Sequence, residues 1–301
     1  LLIVDGFLLP HAMWAAINGN ISRRRSPTQQ MAHTMDQTTI PNLTDRTTST
    51  KALIDYVAGS IDQAKGVVKP FYHLEFDQVF PENIYSAMLA AMPSAADYRP
   101  MHGRSRNNDL DDGTHTRVKI DLFPEYIRHL PQQKLAVWSV VGEALCSEPV
   151  KDAFRRKLAP GLEKRFGKGF ASVGMYPIPI LTRDIPGYSI PPHTDTHWKG
   201  ITVQLYLPRD NANTDIGTIF HDVLPDGSMP KSAQMKFARN SGYAFAVGDD
   251  TWHSADPVRQ GVTTRDSILL TYFVDAGPLK ILRNRGKRLG NFLLNEIRNR
   301  T

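Results

Sequence analysis

The amino-acid sequence predicts an α+β fold, with a helical N-terminal layer packed on a C-terminal β-barrel in one composite domain. Three observations carry this expectation. Apolar residues recur at helical spacing in several runs between Lys51 and Ala159. After Lys168 the texture changes to short strands separated by Pro, Gly, Asn and Asp, the pattern of an all-β sandwich or barrel. No repeat of fixed period is visible, and no glycine-rich phosphate loop follows a strand.

The elements follow in order. Residues 1–50 read as a disordered or non-native N-terminal extension, with Met31 or Met35 as the expected natural start. Leu1 to Leu9 is apolar, but Arg23, Arg24 and Arg25 follow it, whereas a secretory signal has its positive charge first. Residues 51–168 form the helical layer. It holds a helix on Ala52, Leu53, Tyr56, Val57 and Ile61, a short strand from Phe71 to Phe76, and a helix opened by Pro81-Glu82. Residues 98–116 are polar and rich in Gly, Asn and Asp, a long loop suited to covering a site. A strand at Val118–Leu122 and helices at Gln132–Cys146 and Val150–Ala159 come next, and Pro160-Gly161 interrupts. Residues 169–275 hold the barrel, with strands expected at Ala171–Met175, Tyr188–Ile190, Ile201–Leu207, Thr218–His221, Tyr243–Val247 and Ser267–Val274. Residues 276–301 read as a basic C-terminal helix.

Composition and charge exclude several classes. With 301 residues, 41% hydrophobic and 22% charged, the chain has the make-up of a soluble globular protein, and no run approaches the ~20 apolar residues of a membrane span. The net charge of +6 lies in the tail: from Lys280 onward Lys and Arg outnumber the lone acid Glu296 by six. A surface-docked helix explains that tail, and without aromatic–basic interleaving no nucleic-acid partner is expected. The single cysteine, Cys146, suits a reducing, cytoplasmic setting. An oligomer is compatible with all of this.

The chemistry gathers in the barrel. His193-Thr194-Asp195 is followed by His253. Residues i and i+2 of a strand point to one side, so His193 and Asp195 can grip one ion, with His253 supplied by another strand. Two histidines and a carboxylate leave coordination positions open, which suits Fe(II). With ten histidines in the chain a His-x-Asp triplet is common by chance, and its weight comes from its surroundings. Arg265 lies twelve residues beyond His253 and Ser267 two further on, one face of a strand offering a guanidinium fork and a hydroxyl to a carboxylate.

The segment from Tyr188 to Asp275 resembles the jelly-roll core, a double-stranded β-helix of cupin type, of the Fe(II)/2-oxoglutarate-dependent dioxygenases, particularly the prolyl-hydroxylase-like branch. The resemblance implies His193, Asp195 and His253 as metal ligands. It implies Arg265, Ser267 and Tyr206 at the distal carboxylate of 2-oxoglutarate, with Thr202 and Gln204 on the face of Tyr206 lining the same pocket. The gap from His253 to Arg265 is longer than in the animal prolyl hydroxylases, which leaves Arg259 as a competitor for that role. The cofactors implied are Fe(II), with 2-oxoglutarate and O2 as cosubstrates. Asp195 stands where halogenating relatives carry a small residue, so hydroxylation or a related oxidation such as desaturation is implied.

Other residues stay two-sided. His197 is either a contact beside the metal or a surface residue, and His221 either lines the barrel mouth or is a hydrogen-bonded structural histidine. Trp252 either packs or stacks on substrate, and Arg183 and Arg117 either bind an anionic substrate or form ordinary salt bridges. The favoured substrate is a small molecule, an amino acid or N-substituted amino acid. A protein or peptide side chain is the alternative, and a non-catalytic cupin-like binding module the remote one. A zinc hydrolase could share the ligands but has no use for the Arg-x-Ser pair.

Overall fold

In the computed structural model, which describes residues 46–101 and 109–275, the strand Lys199–Tyr206 shows how sequence pattern becomes architecture. Its apolar Ile201, Val203 and Leu205 turn to one side, into a core shared with the helices, while Thr202, Gln204 and Tyr206 turn to the other. The strands β5 (Met175–Asp184), β6 (Ile190–His193), β7 (Lys199–Tyr206), β8 (Ile219–His221), β9 (Lys231–Gln234), β10 (Gly242–Ala246), β11 (His253–Ala255) and β12 (Arg265–Val274) divide between two antiparallel sheets. The larger runs β10-β7-β12-β5 at its centre and the smaller β6-β11-β8-β9. A chain that crosses back and forth between two sheets in this order is a double-stranded β-helix.

The N-terminal part is less purely helical than its sequence suggests. Strands β1 (Lys65–Val67) and β2 (His73–Phe76) extend the large sheet beyond β10. On the other edge, β4 (Arg117–Asp121) and β3 (Arg99–Pro100) extend it beyond β5. Helices α1 (Arg46–Gln63), α2 (Glu82–Ala90), α3 (Pro124–Ile127), α4 (Gln132–Leu145), α5 (Glu148–Lys157) and α6 (Ala159–Phe166) supply the rest. Leu53, Val57 and Ile61 of α1, Trp138 and Val141 of α4 and Phe154 of α5 pack with Leu181, Val203, Ile268 and Leu270 of the sheet. Burying each of these side chains contributes about 2 kcal/mol. Trp138 keeps its indole N–H satisfied by donating to the Ala91 carbonyl at 2.8 Å.

Several elements differ from expectation for identifiable reasons. Helix α1 begins at Arg46, inside the stretch expected to be extension. A strand was expected at Ala171–Met175, yet Phe170–Ser172 is a 3-10 turn and β5 runs from Met175 to Asp184. Pro177 and Pro179 hid it, since proline removes a ladder donor. The Pro179 carbonyl accepts from the Leu122 N–H, so its ring nitrogen faces the same side, where β4 pairing has already stopped at Asp121↔Ile180. Both prolines therefore sit where the sheet asks for no donor. Pro160 starts α6 instead of ending a helix, because the first turn needs no N–H there. Residues 1–45, 102–108 and 276–301, with most of the expected extension, part of the covering loop and the whole basic helix, lie outside the described residues. Among those described, no helix is long and apolar enough to cross a membrane.

Candidate active site

Between the two sheets lies a cavity of about 200 Å³. At one end of it stand His193, Asp195 and His253. Cross-strand pairing of β6 with β11 puts His253 opposite His193, with ring centroids 4.3 Å apart, and Asp195 follows on the β6–β7 turn. One ligand atom from each of the three lies within 4.8 Å of the others. His193 Nδ1 sits 2.9 Å from the Pro191 carbonyl and His253 Nδ1 2.9 Å from the Thr251 carbonyl. A carbonyl only accepts, so both Nδ1 atoms carry a proton, which leaves Nε2 as the nitrogen to bind a metal.

Asp195 is prepared as an anion. Its Oδ1 accepts from Lys199 Nζ and its Oδ2 from Thr202 Oγ1, both at 2.6 Å. Burial pushes its pKa up. The Lys199 charge, then that of His253, and the hydrogen bonds from Lys199 and Thr202 outweigh burial and bring it down to about 2. Two imidazoles, each able to bind through Nε2 once that nitrogen is unprotonated, and a held carboxylate within one ligand sphere make a donor set that fits a divalent transition metal with positions left open.

The other end of the cavity is built from guanidinium and hydroxyl groups. Arg117 on β4, Asp184 on β5 and Arg265 on β12 pair side by side across three neighbouring strands. The fully buried Asp184 accepts from Arg117 Nε at 2.6 Å and from Arg117 Nη2 at 3.0 Å. It also accepts from Arg265 Nε at 3.1 Å and Nη2 at 2.9 Å, while Arg265 Nη1 donates to the Ile216 carbonyl at 2.8 Å. Burial alone would lower the Arg117 pKa, but the Asp184 charge reverses this and the group stays cationic. Thr218, Tyr243 and Tyr188 join this end. Gly217 makes room for Thr218: a Cβ there would stand 1.9 Å from the Met235 carbonyl oxygen.

The expected site residues divide accordingly. Arg265, Thr202, Gln204 and Arg117 line the same cavity as the metal triad. Tyr206 and Ser267, expected at the carboxylate, do not line it. The Tyr206 hydroxyl donates to Thr218 Oγ1 at 3.2 Å and accepts from the Thr218 N–H, and Ser267 Oγ lies 2.9 Å from Thr182 Oγ1 and 3.0 Å from Gln204 Nε2. Both stand behind the wall because Thr218, from the facing sheet, and Thr182 with Gln204, from neighbouring strands, reach their hydroxyls before the cavity does. Tyr243, opposite Gln204 on β10, takes the lining place, with its hydroxyl donating to Gln204 Oε1 at 2.8 Å.

The remaining candidates fall away from the cavity. Arg183 points to the opposite face of β5, where it pairs with Asp266 and lies over the Tyr98 ring. His197 packs edge-on against Trp198 and lines a neighbouring cavity of about 680 Å³ beside α6, which shares Asp195 with this one. His221 is structural, its Nδ1 donating to the Met229 carbonyl at 3.0 Å and its Nε2 accepting from Ser254 Oγ at 2.7 Å. Trp252 is half-buried and outside the cavity wall, and exposed Arg259 is paired with Asp215. Cys146 is partly buried at the end of α4. Sequence reasoning passed over Tyr188, Thr218, Tyr243, Lys199 and the bridging role of Asp184. Each comes from a separate strand or turn, so no local pattern marks them.

No family model matches this chain, and no curated protein matches it. Solved structures do. A Pseudomonas putida prolyl-4-hydroxylase is similar over 73% of this chain and 100% of its own, at 15% identity and a TM-score of 0.45. A Trichoplax adhaerens prolyl hydroxylase, solved with a peptide fragment of a hypoxia inducible factor, is similar over 75% of this chain and 91% of its own, at 10% identity and a TM-score of 0.44. A Burkholderia pseudomallei oxidoreductase described as a 2OG-Fe(II) oxygenase is similar over 67% of this chain and 84% of its own, at 13% identity and a TM-score of 0.39. At these identities and scores no role of any residue here follows from the likeness.

Proposed function

We propose that this chain is an Fe(II)- and 2-oxoglutarate-dependent oxygenase that hydroxylates a small molecule, with an amino acid or N-substituted amino acid as the favoured substrate class. One observation supports the reading: a single small cavity has two histidines and an aspartate that could hold a metal at one end and two arginines flanking a buried aspartate at the other. A molecule with a chelating group at one end and a carboxylate at the other, as 2-oxoglutarate is, spans such a cavity.

His193, Asp195 and His253 would hold the metal, with the two imidazole tautomers set by the Pro191 and Thr251 carbonyls. Arg265, Thr218 and Tyr243 would orient the distal carboxylate, and Gln204 lies between the ends. When bound, iron supplies the dioxygen chemistry in which the oxoacid loses carbon dioxide to become succinate and one oxygen atom enters a substrate C–H bond. The apolar Ile190, Ala255 and Leu269 in the wall limit water around the reacting centre.

The test is a succinate-release screen with Fe(II), 2-oxoglutarate and a panel of amino acids, their N-acyl derivatives and peptides. The expected result is succinate formation stimulated by one of the amino-acid compounds and lost in His193→Ala and Asp195→Ala. Turnover at the wild-type level in either variant would remove the metal assignment. Stimulation by peptides alone would keep the chemistry and overturn the substrate class.

A further inference from the structure

The carboxylate end of the cavity holds more positive charge than one arginine provides, and part of it comes from outside the β5–β12 barrel. Arg117 and Arg265 flank Asp184, and the Nη2 atoms of both donate to the same oxygen, Asp184 Oδ2, at 3.0 and 2.9 Å. Two guanidiniums therefore lie side by side against one carboxylate, and the trio, with Asp184 and Arg265 buried and Arg117 half-buried, carries an excess of one positive charge. An excess charge largely withdrawn from water favours an anion beside it. Neither guanidinium is used up: among the described residues Arg117 Nη1 has no hydrogen-bond partner, and Arg265 makes three hydrogen bonds from its five N–H groups.

A second, independent observation is the Tyr188 hydroxyl. Tyr188 is fully buried, lines this cavity, and its hydroxyl has no hydrogen-bond partner. Its ring lies under both arginines, 4.1 Å from the Arg117 guanidinium carbon and 5.3 Å from that of Arg265. Burial raises its pKa, so the group is an O–H donor lacking an acceptor. Tyr243, with its hydroxyl at the same end, feels the charge of both arginines.

We propose that the distal carboxylate of the oxoacid is held by two arginines, Arg117 and Arg265, with Asp184 as their shared counter-charge and the Tyr188 hydroxyl as an added donor. This rests on the oxoacid reading above. The net charge of the trio matches a single carboxylate and mismatches a phosphate dianion, which makes Asp184 a selector of carboxylate ligands. It also makes β4, an N-terminal strand, part of the cosubstrate site.

The experiment is calorimetric titration of the full, Fe(II)-loaded chain under argon with 2-oxoglutarate, and separately with 2-oxobutyrate, which chelates alike but lacks the distal carboxylate. Arg117→Gln is expected to weaken 2-oxoglutarate binding by roughly 10- to 100-fold, comparably with Arg265→Gln, and to leave 2-oxobutyrate binding unchanged. Arg117→Lys should restore only part of the loss, since an ammonium cannot reproduce the guanidinium fork. Tyr188→Phe, which removes an unpartnered hydroxyl, should weaken 2-oxoglutarate by about 3- to 10-fold with Tm unchanged or raised. Constants are read on folded protein, and Arg117→Gln leaves Asp184 still paired with Arg265.

Wild-type affinity for 2-oxoglutarate in Arg117→Gln, with loss in Arg265→Gln, would overturn the two-arginine site and leave the proposed function standing. So would a raised KM for the hydroxylated substrate as the sole effect, which would assign Arg117 to that substrate. Failure of the wild-type chain to bind 2-oxoglutarate at all would instead overturn the function itself.

Discussion

The two ends of the cavity are built on different principles. At the metal end, each ligand is held by groups close to it in sequence: His193 by the Pro191 carbonyl, His253 by the Thr251 carbonyl, Asp195 by Lys199 and Thr202. At the carboxylate end, Arg117, Asp184 and Arg265 come from three strands far apart in the chain and meet only through the pairing of β4, β5 and β12. The difference teaches where each function is vulnerable. The metal end depends on local backbone geometry, whereas the carboxylate end depends on the sheet being assembled in register.

The sharpest way to break this comparison is Asp195→Ala. It should lower metal affinity by more than about 100-fold, the upper range seen for removing mere supporting groups, as read by titration with Co(II) or Fe(II). Retained affinity would show that the triad is not a metal site. Next in size, Arg265→Ala leaves the Ile216 carbonyl unmet while Asp184 keeps Arg117, so urea denaturation should show a loss of about 1–3 kcal/mol. Its metal affinity should persist under folding conditions. If metal binding collapses too, the two ends are not independently built.

Thr202→Val removes the hydrogen bond to Asp195 Oδ2 and should cost roughly tenfold in metal affinity with stability changed by about 1 kcal/mol. Smaller still is the contrast between two tyrosines. Tyr206→Phe should cost about 1–2 kcal/mol in stability, because the Thr218 N–H loses its acceptor, yet leave oxoacid affinity intact. Tyr243→Phe should weaken oxoacid binding about threefold. Equal effects of the two on oxoacid binding would place Tyr206 at the cavity after all. Least of all in its effect on the cavity, Arg183→Gln, on the far face of β5, breaks a largely buried pair with Asp266 and should cost about 1.5–3 kcal/mol in stability yet leave turnover as it was.

Some of this was legible along the chain. The alternation in β7 revealed which of its residues face inward, and His-x-Asp with a distant His and an Arg-x-Ser pair pointed to a metal beside a carboxylate receptor. Strand β5 was not legible, because Pro177 and Pro179 carry the signature of a loop and only the free side of the sheet excuses them. Strands β9 and β11 were missed for another reason: three or four residues are too short to display a period.

Side-chain roles divide the same way. That Ser267 and Tyr206 share an inward face was readable from spacing, but spacing does not say which hydroxyl a neighbour reaches first. Thr182, Gln204 and Thr218 took those hydroxyls, and the lining role went to Tyr243 from another strand. By itself the sequence determined the class of fold, the three metal ligands proposed here and the presence of an arginine for a carboxylate, because these depend on period and residue chemistry. Only the tertiary structure decided that a second arginine stands beside the first, with Asp184 between them and the Tyr188 ring against both. Cross-strand register brings together residues separated by up to 148 positions, from Arg117 to Arg265, and nothing local encodes that encounter.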